Sequence, residues 1–227
     1  MDNTLNDKLE NFFSQFKQVT FSKGEIIIRP DNTPQGVYFI KEGYARMYST
    51  FADGRELTLN IFKPRTYFSM MWALADIANT YYFQAHTRVI VQKAPQGQVK
   101  EFLQANPDIL FNLTKRILVG LDGILTNIEY LLSGQAAHRV MAALFLSAKR
   151  FGQPKENNEV IINLPLTHQD IANLAGLTRE TTSIEMGKLT KKKLISYNKR
   201  LIIINDIAKL EAEIIIYKND HSLPYTL

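Results

Sequence analysis

The chain has 227 residues, of which 45% are apolar and 22% charged. That length suits one or two domains with real cores, and that composition argues against wholesale disorder. It contains no cysteine, which excludes disulfides, thiolate catalysis, and zinc or iron–sulfur clusters held by Cys. The net charge is +5, and it is uneven: residues 1–134 carry 14 Lys+Arg against 13 Asp+Glu, residues 135–227 carry 13 against 9.

The N-terminus, MDNTLNDKLENFF, lacks the basic start and long apolar stretch of a signal peptide. The longest apolar run, Val140 to Leu146, is seven residues, far short of a membrane span. A soluble, cytoplasmic protein with no membrane partner is expected. Residues 5–16 have helical apolar spacing. From Val19 to Val99 the pattern changes to short Ile, Val, Tyr and Phe runs cut by turn signals such as Ser22-Lys23-Gly24, Asp31-Asn32-Thr33-Pro34 and Asp53-Gly54. Asp-Gly between strand-like runs suits a tight hairpin, and several such strands predict a barrel or sandwich. A helical stretch over 68–78 interrupts them.

From about Asn106 to Leu132 the spacing is helical again. Ile117, Leu121, Ile124, Ile128 and Leu131 are separated by 4, 3, 4 and 3, the rhythm of a coiled-coil seam. Two heptads also suit an amphipathic helix lying on its own domain. Gly120 and Gly123 cost about 1 kcal/mol each in helix propensity, and are tolerable where two backbones come close. Ser133-Gly134 reads as a hinge. A further helix over about 136–150, a polar loop and a strand over 160–164 follow.

Residues 166–195 read LTHQDIANLAGLTRETTSIEMGKLTKKKLI. Thr167 is a good N-cap and Asp170 suits the first helical turn. Ile171 and Leu174 are expected to face the core, Ala172 is small where a second helix must cross, and Gly176 permits a tight turn. Thr178 then caps a helix from Arg179 to about Lys191. Two short helices joined by a glycine-containing turn make a helix-turn-helix, whose second helix offers its N-terminal residues to the major groove. Those residues are Arg179, Glu180, Thr181, Thr182 and Ser183. Arg pairs with guanine, Glu accepts from cytosine, and Ser or Thr reaches either kind of edge. The strands 194–197 and 201–204, joined through Asn198-Lys199-Arg200, make a wing with a basic tip. A bare helical subdomain for protein contacts is the competing reading. Residue types, spacing and the local excess of Lys and Arg together favour double-stranded DNA as partner.

With these motifs in place the chain resembles the cyclic-AMP receptor protein / fumarate–nitrate reductase regulator (CRP/FNR) family. The match is strongest at THQDIANLAGLTRETTSIEMGKLTKKKLI, with Arg139-Val140 before it and Asp206 and Leu210 after the wing. In the N-terminal half, Gly24-Glu25, VYFIKEGYARMY and the Asp53-Gly54 hairpin resemble the family's double-stranded β-roll. The resemblance implies an α+β chain. Residues 1–105 would form a jelly-roll, cyclic-nucleotide-binding-like sensor, 106–133 a dimerisation helix, and 134–227 a winged helix-turn-helix. It implies a transcription regulator, not an enzyme, acting as a homodimer on a pseudo-palindrome, with RNA polymerase and a small-molecule effector as further partners. Arg179, Glu180, Ser183 and Thr181 are then the base readers. Thr167, His168, Gln169, Lys188, Lys199 and Arg200 are candidates for phosphate contacts.

Two departures stand out. Cyclic-nucleotide-binding members need a Gly-Glu pair and an Arg followed by Ser or Thr. The corresponding stretch here is FSMMWALADIANTYYFQAHT, and Arg88 lies at the wrong offset. An anion placed there without a cation is costly, so cyclic AMP is not expected. Met70, Met71, Trp72 and Tyr82 could line an apolar effector pocket, or fill the core. Second, the family commonly has Arg after Ser183, where this chain has Ile184. Ile cannot donate to guanine, but it can pack on a thymine methyl or turn inward. His86 as a haem ligand is a remoter option, since a lone strand histidine is more often structural; His138 and His221 carry no signal. No bound cofactor or metal is expected. The competing function is a small-molecule-binding module, taking a cyclic nucleotide, haem or an apolar effector and acting through a protein partner. No hydrolase triad, HExxH or phosphate-binding glycine loop points to catalysis.

Overall fold

The computed structural model describes residues 3–132 and 134–220. Ser133, half of the predicted hinge, lies outside the described residues, as does His221. The chain divides into two compact units, Met1–Asp122 and Gly123–Leu227.

The first unit opens with α1 (Asn3–Ser14) and continues through β1 (Gln18–Phe21), β2 (Ile26–Ile28), β3 (Val37–Glu42), β4 (Ala45–Thr50), β5 (Glu56–Phe62) and β6 (Tyr67–Phe68). Then come α2 (Met70–Ala75), β7 (Tyr82–Ala85), β8 (Val89–Ala94), α3 (Gln96–Ala105) and the start of α4 (Pro107–Leu132). Two antiparallel sheets form, ordered β1-β8-β3-β6 and β2-β7-β4-β5. Strand β3 explains why VYFI is continuously apolar. Tyr38 and Ile40 point between the sheets, while Val37 and Phe39 point to a second cluster with Leu9, Phe13, Val99, Leu103 and Ile109 of the helices. Successive side chains alternate faces, so a strand covered on both sides has no polar positions. Much of the space between the sheets is taken up by rings. Phe68 stacks on Tyr38 and on Phe83, with centroids 5.0 Å apart in each pair.

The turn between β3 and β4 requires Gly43. Its φ is +80°, and a Cβ there would collide with the Arg88 carbonyl. The predicted 68–78 helix is shorter, Met70–Ala75, because Phe68 pairs with Tyr38 as a strand and Asp76 turns left-handed at φ +53°. Helix α3 replaces the end of the predicted strand region, so Val99 is a buried helical residue.

The second unit contains the end of α4, then α5 (Ala136–Phe151), β9 (Gly152–Pro154), β10 (Val160–Ile162), α6 (His168–Ala175), α7 (Arg179–Lys191), β11 (Ile195–Asn198), β12 (Leu201–Ile204) and α8 (Ile207–Asp220). Its sheet order is β11-β12-β10-β9. The polar loop after α5 thus contributes an edge strand, and the expected 160–164 strand stops at Ile162. The three helices around the turn bury Leu144, Ile171, Ala172 and Met186. Leu174, expected in the core, is half-buried.

Candidate nucleic-acid interface

Helix α6 starts with a reciprocal capping box. The Asp170 backbone N–H donates to Thr167 Oγ1 at 3.2 Å, and the Thr167 N–H donates to Asp170 Oδ2 at 2.8 Å. The helix ends at Gly176, left-handed at φ +60°, a conformation glycine adopts without penalty. Its last carbonyls are claimed by Arg139 of α5, with Nε donating to Ala175 O at 2.8 Å and Nη2 to Gly176 O at 2.6 Å. A cation at a helix C-terminus also complements the helix dipole. Three helices are thereby fixed around one short turn. Thr178 starts α7, its hydroxyl accepting the Thr181 N–H at 3.3 Å.

One side of α7 is core: Thr182, Glu185, Met186 and Leu189 are buried. The other side is open. Arg179, Glu180, Ile184, Gly187, Lys188 and Lys191 are exposed. Of the predicted base readers, Arg179 and Glu180 are exposed, while Thr181 and Ser183 are half-buried. Ser183 is not free: its Oγ lies 2.9 Å from His168 Nδ1, and His168 Nε2 lies 3.3 Å from Tyr197 Oη. Ile184, which the sequence allows to turn either way, faces outward at 60% exposure.

The predicted phosphate-contacting residues divide. Thr167 and Gln169 are exposed, but the first is engaged in the cap and the second donates to Asn173 Oδ1 at 2.8 Å. Both ring nitrogens of His168 are engaged as above. Lys188 pairs with Glu185 at 2.7 Å and keeps a 60% exposed side chain. Lys199 and Arg200 stand exposed on the two-residue turn joining β11 to β12, where Asn198 faces Leu201. Sequence reasoning missed Tyr197, which ties the wing to α6 and is 46% exposed. Burial pushes its phenol up, against a lowering hydrogen bond with Thr190. No local pattern marks the link to α6, because His168 is 29 residues away.

Along α4 the predicted seam residues Ile117, Leu121, Ile124 and Ile128 are between 46% and 53% exposed, and Leu131 is half-buried. Phe111, Leu118, Leu125 and Leu132, seven residues apart, widen the apolar stripe. A Cβ at Gly120 or Gly123 would meet nothing within 4 Å.

The four proposed effector-pocket residues do not assemble. Met70 and Trp72 pack against the cluster of α1, α3 and α4, while Met71 is exposed. Tyr82 stacks on Tyr48 with centroids 5.0 Å apart, on the face of β7 opposite Phe83 and Ala85, which point between the sheets. The void beside Met70 is about 10 Å³, the lower limit for one water. A cleft of about 370 Å³, lined by Phe21, Ile27, Arg29, Asn32, Tyr38 and Lys93 among others, includes none of the four. His86 is buried at 6%, its backbone N–H donating to Tyr44 O at 2.8 Å.

Residues 138–213 match the family described as Crp-like helix-turn-helix domain, and residues 18–106 match the cyclic nucleotide-binding domain family. The chain belongs to the CRP/FNR family of transcription regulators. Like other CRP/FNR proteins it is a DNA-binding regulator. It is similar to the global nitrogen regulator of Nostoc sp., 29% identical over 193 residues, 82% of this chain and 84% of the relative. It is 26% identical over 205 residues to the nitrogen fixation regulation protein FixK of Bradyrhizobium diazoefficiens, covering 90% of this chain and 85% of the relative. A CRP/FNR-family transcriptional regulator from Thermus thermophilus superposes with TM-score 0.68 at 25% identity, covering 88% of this chain and 98% of that one. A CooA mutant from Carboxydothermus hydrogenoformans shares the fold, with TM-score 0.75 at 22% identity and 89% of each chain covered. Among the described residues no helix is long and apolar enough to cross a membrane.

Proposed function

We propose that the chain works in the cytoplasm as a homodimer, paired through the apolar stripe of α4, and reads a pseudo-palindromic operator. Its half-sites would lie ~34–36 Å apart, one turn of duplex. Residues 1–105 form the sensor part, 106–133 the pairing helix and 134–227 the reading head. The observation that carries this reading is the outward side of α7, exposed from Arg179 to Lys191 and flanked by the exposed wing-tip cations Lys199 and Arg200. Arg179 and Glu180 read bases. Lys188, Lys199 and Arg200 meet phosphates, which position the protein without specifying sequence. RNA polymerase is the downstream partner.

The effector is not cyclic AMP. A relative named as a cAMP-activated regulator, from Mycobacterium tuberculosis, is only 23% identical. Here the stretch FSMMWALADIANTYYFQAHT lacks the Arg followed by Ser or Thr that a cyclic phosphate needs.

Electrophoretic shift across a salt series tests the reading. Affinity should fall steeply with salt as counterions are released, and replacing Lys199 and Arg200 together by Ala, which removes two phosphate contacts in each half-site, should lower the log–log slope of the dimer by about 4. Salt-insensitive association would instead favour a module acting on a protein. Calorimetric titration with cyclic AMP should show no binding.

A further inference from the structure

Beyond α4, the second unit hides its large apolar side chains well. Among the described residues there, the exposed exceptions are Ile184 at 60% and Tyr197 at 46%. Tyr197 is held by its contact to His168. Ile184 has no such account. An exposed branched apolar side chain in the second turn of a helix otherwise lined by Arg, Glu and Lys invites a partner surface that is itself apolar.

The helical period says where Ile184 points. With Thr182, Glu185, Met186 and Leu189 marking the buried side, the line furthest from them runs through Glu180, Ile184, Gly187 and Lys191. These positions are spaced i, i+4, i+7 and i+11 and share one face. All four are exposed. Ser183 lies to one flank, turned toward His168. Ile184 is therefore at the centre of the reading face, one turn past Glu180, and Ser183 is off to its side. Gly187, one turn further, has open space where a Cβ would stand. The ridge thus carries an apolar knob beside a notch.

The major groove offers one apolar group, the C5-methyl of thymine. We propose that Ile184 is a specificity-determining residue that packs on a thymine methyl in each half-site, so that this chain selects T where a guanine-reading Arg would select G. The inference rests on α7 being the DNA-reading helix, and adds the base that its central side chain chooses.

The test uses the full-length protein and its own operator, selected from randomised duplexes. Thymine is then replaced by uracil, one position at a time, removing only the methyl. At one position per half-site the replacement should weaken the wild type about fourfold, and about fifteenfold when made in both halves, the value of burying one methyl at each. Ile184→Ala should be indifferent to that same replacement. Ile184→Arg should shift the selected base there from T to G. The surface position of Ile184 leaves the fold intact in both variants. If no uracil replacement affects the wild type while Glu180→Ala still alters the selected motif, the Ile184 assignment is wrong and the reading role of α7 stands. If selection yields no preferred sequence at all, both fall.

Discussion

At the scale of single residues, Glu180 is the most direct test of base reading. It is exposed on the outward ridge, and a carboxylate entering the major groove can accept from cytosine N4. Glu180→Ala should cost ~1–3 kcal/mol of discrimination at one base position, seen as one relaxed column in a selected motif. Arg139 tests the scaffold instead. Arg139→Met leaves the Ala175 and Gly176 carbonyls without their charged donor, and should destabilise the winged-helix unit by about 2 kcal/mol in denaturant unfolding. The caps were legible in the sequence because each is local: Thr167 with Asp170, Thr178 with Thr181, Gly176 at a helix end. The linkage of Ser183 through His168 to Tyr197 was not, because it joins three elements that meet only after folding. That linkage and the capping box also explain why His168 and Thr167, read as phosphate contacts, already have protein partners.

At the scale of elements, periodicity found the long helix and the helix-turn-helix to within a residue or two. It failed where two signals overlapped. Phe68 looked helical beside MMWALA, but strand pairing with Tyr38 took it. Helix α3 was hidden because Gly97 and the polar residues around it resemble a loop, although Val99 and Leu103, four apart, are its buried face. Helix α7 contains its own contradiction. Gly187 weakens a helix whose internal packing does not need a glycine there. Gly187→Ala should therefore raise thermal stability, by about 1 kcal/mol of helix propensity, while weakening operator binding by filling the notch on the reading face. A gain in both would show that the ridge does not seat closely on DNA.

At the scale of the whole molecule, the apolar stripe of α4 is the feature that a single chain leaves uncovered. Ile124→Asp should yield a monomer in sedimentation, with the fold retained because Ile124 is 49% exposed, and should abolish binding to the full palindrome. A mutant that stays dimeric would move the pairing surface elsewhere. The β-roll raises a different question, since stacked rings occupy much of the space between its sheets. The chain has one tryptophan, Trp72, half-buried on α2 and joined to α3 by Gln96, whose Nε2 donates to the Trp72 and Ala73 carbonyls at 3.4 and 3.1 Å. A single indole, which can be excited apart from the ten tyrosines, thus stands at the edge of the β-roll. Compounds that shift α2 should change its emission maximum, so an unlabelled optical screen is already built into the protein.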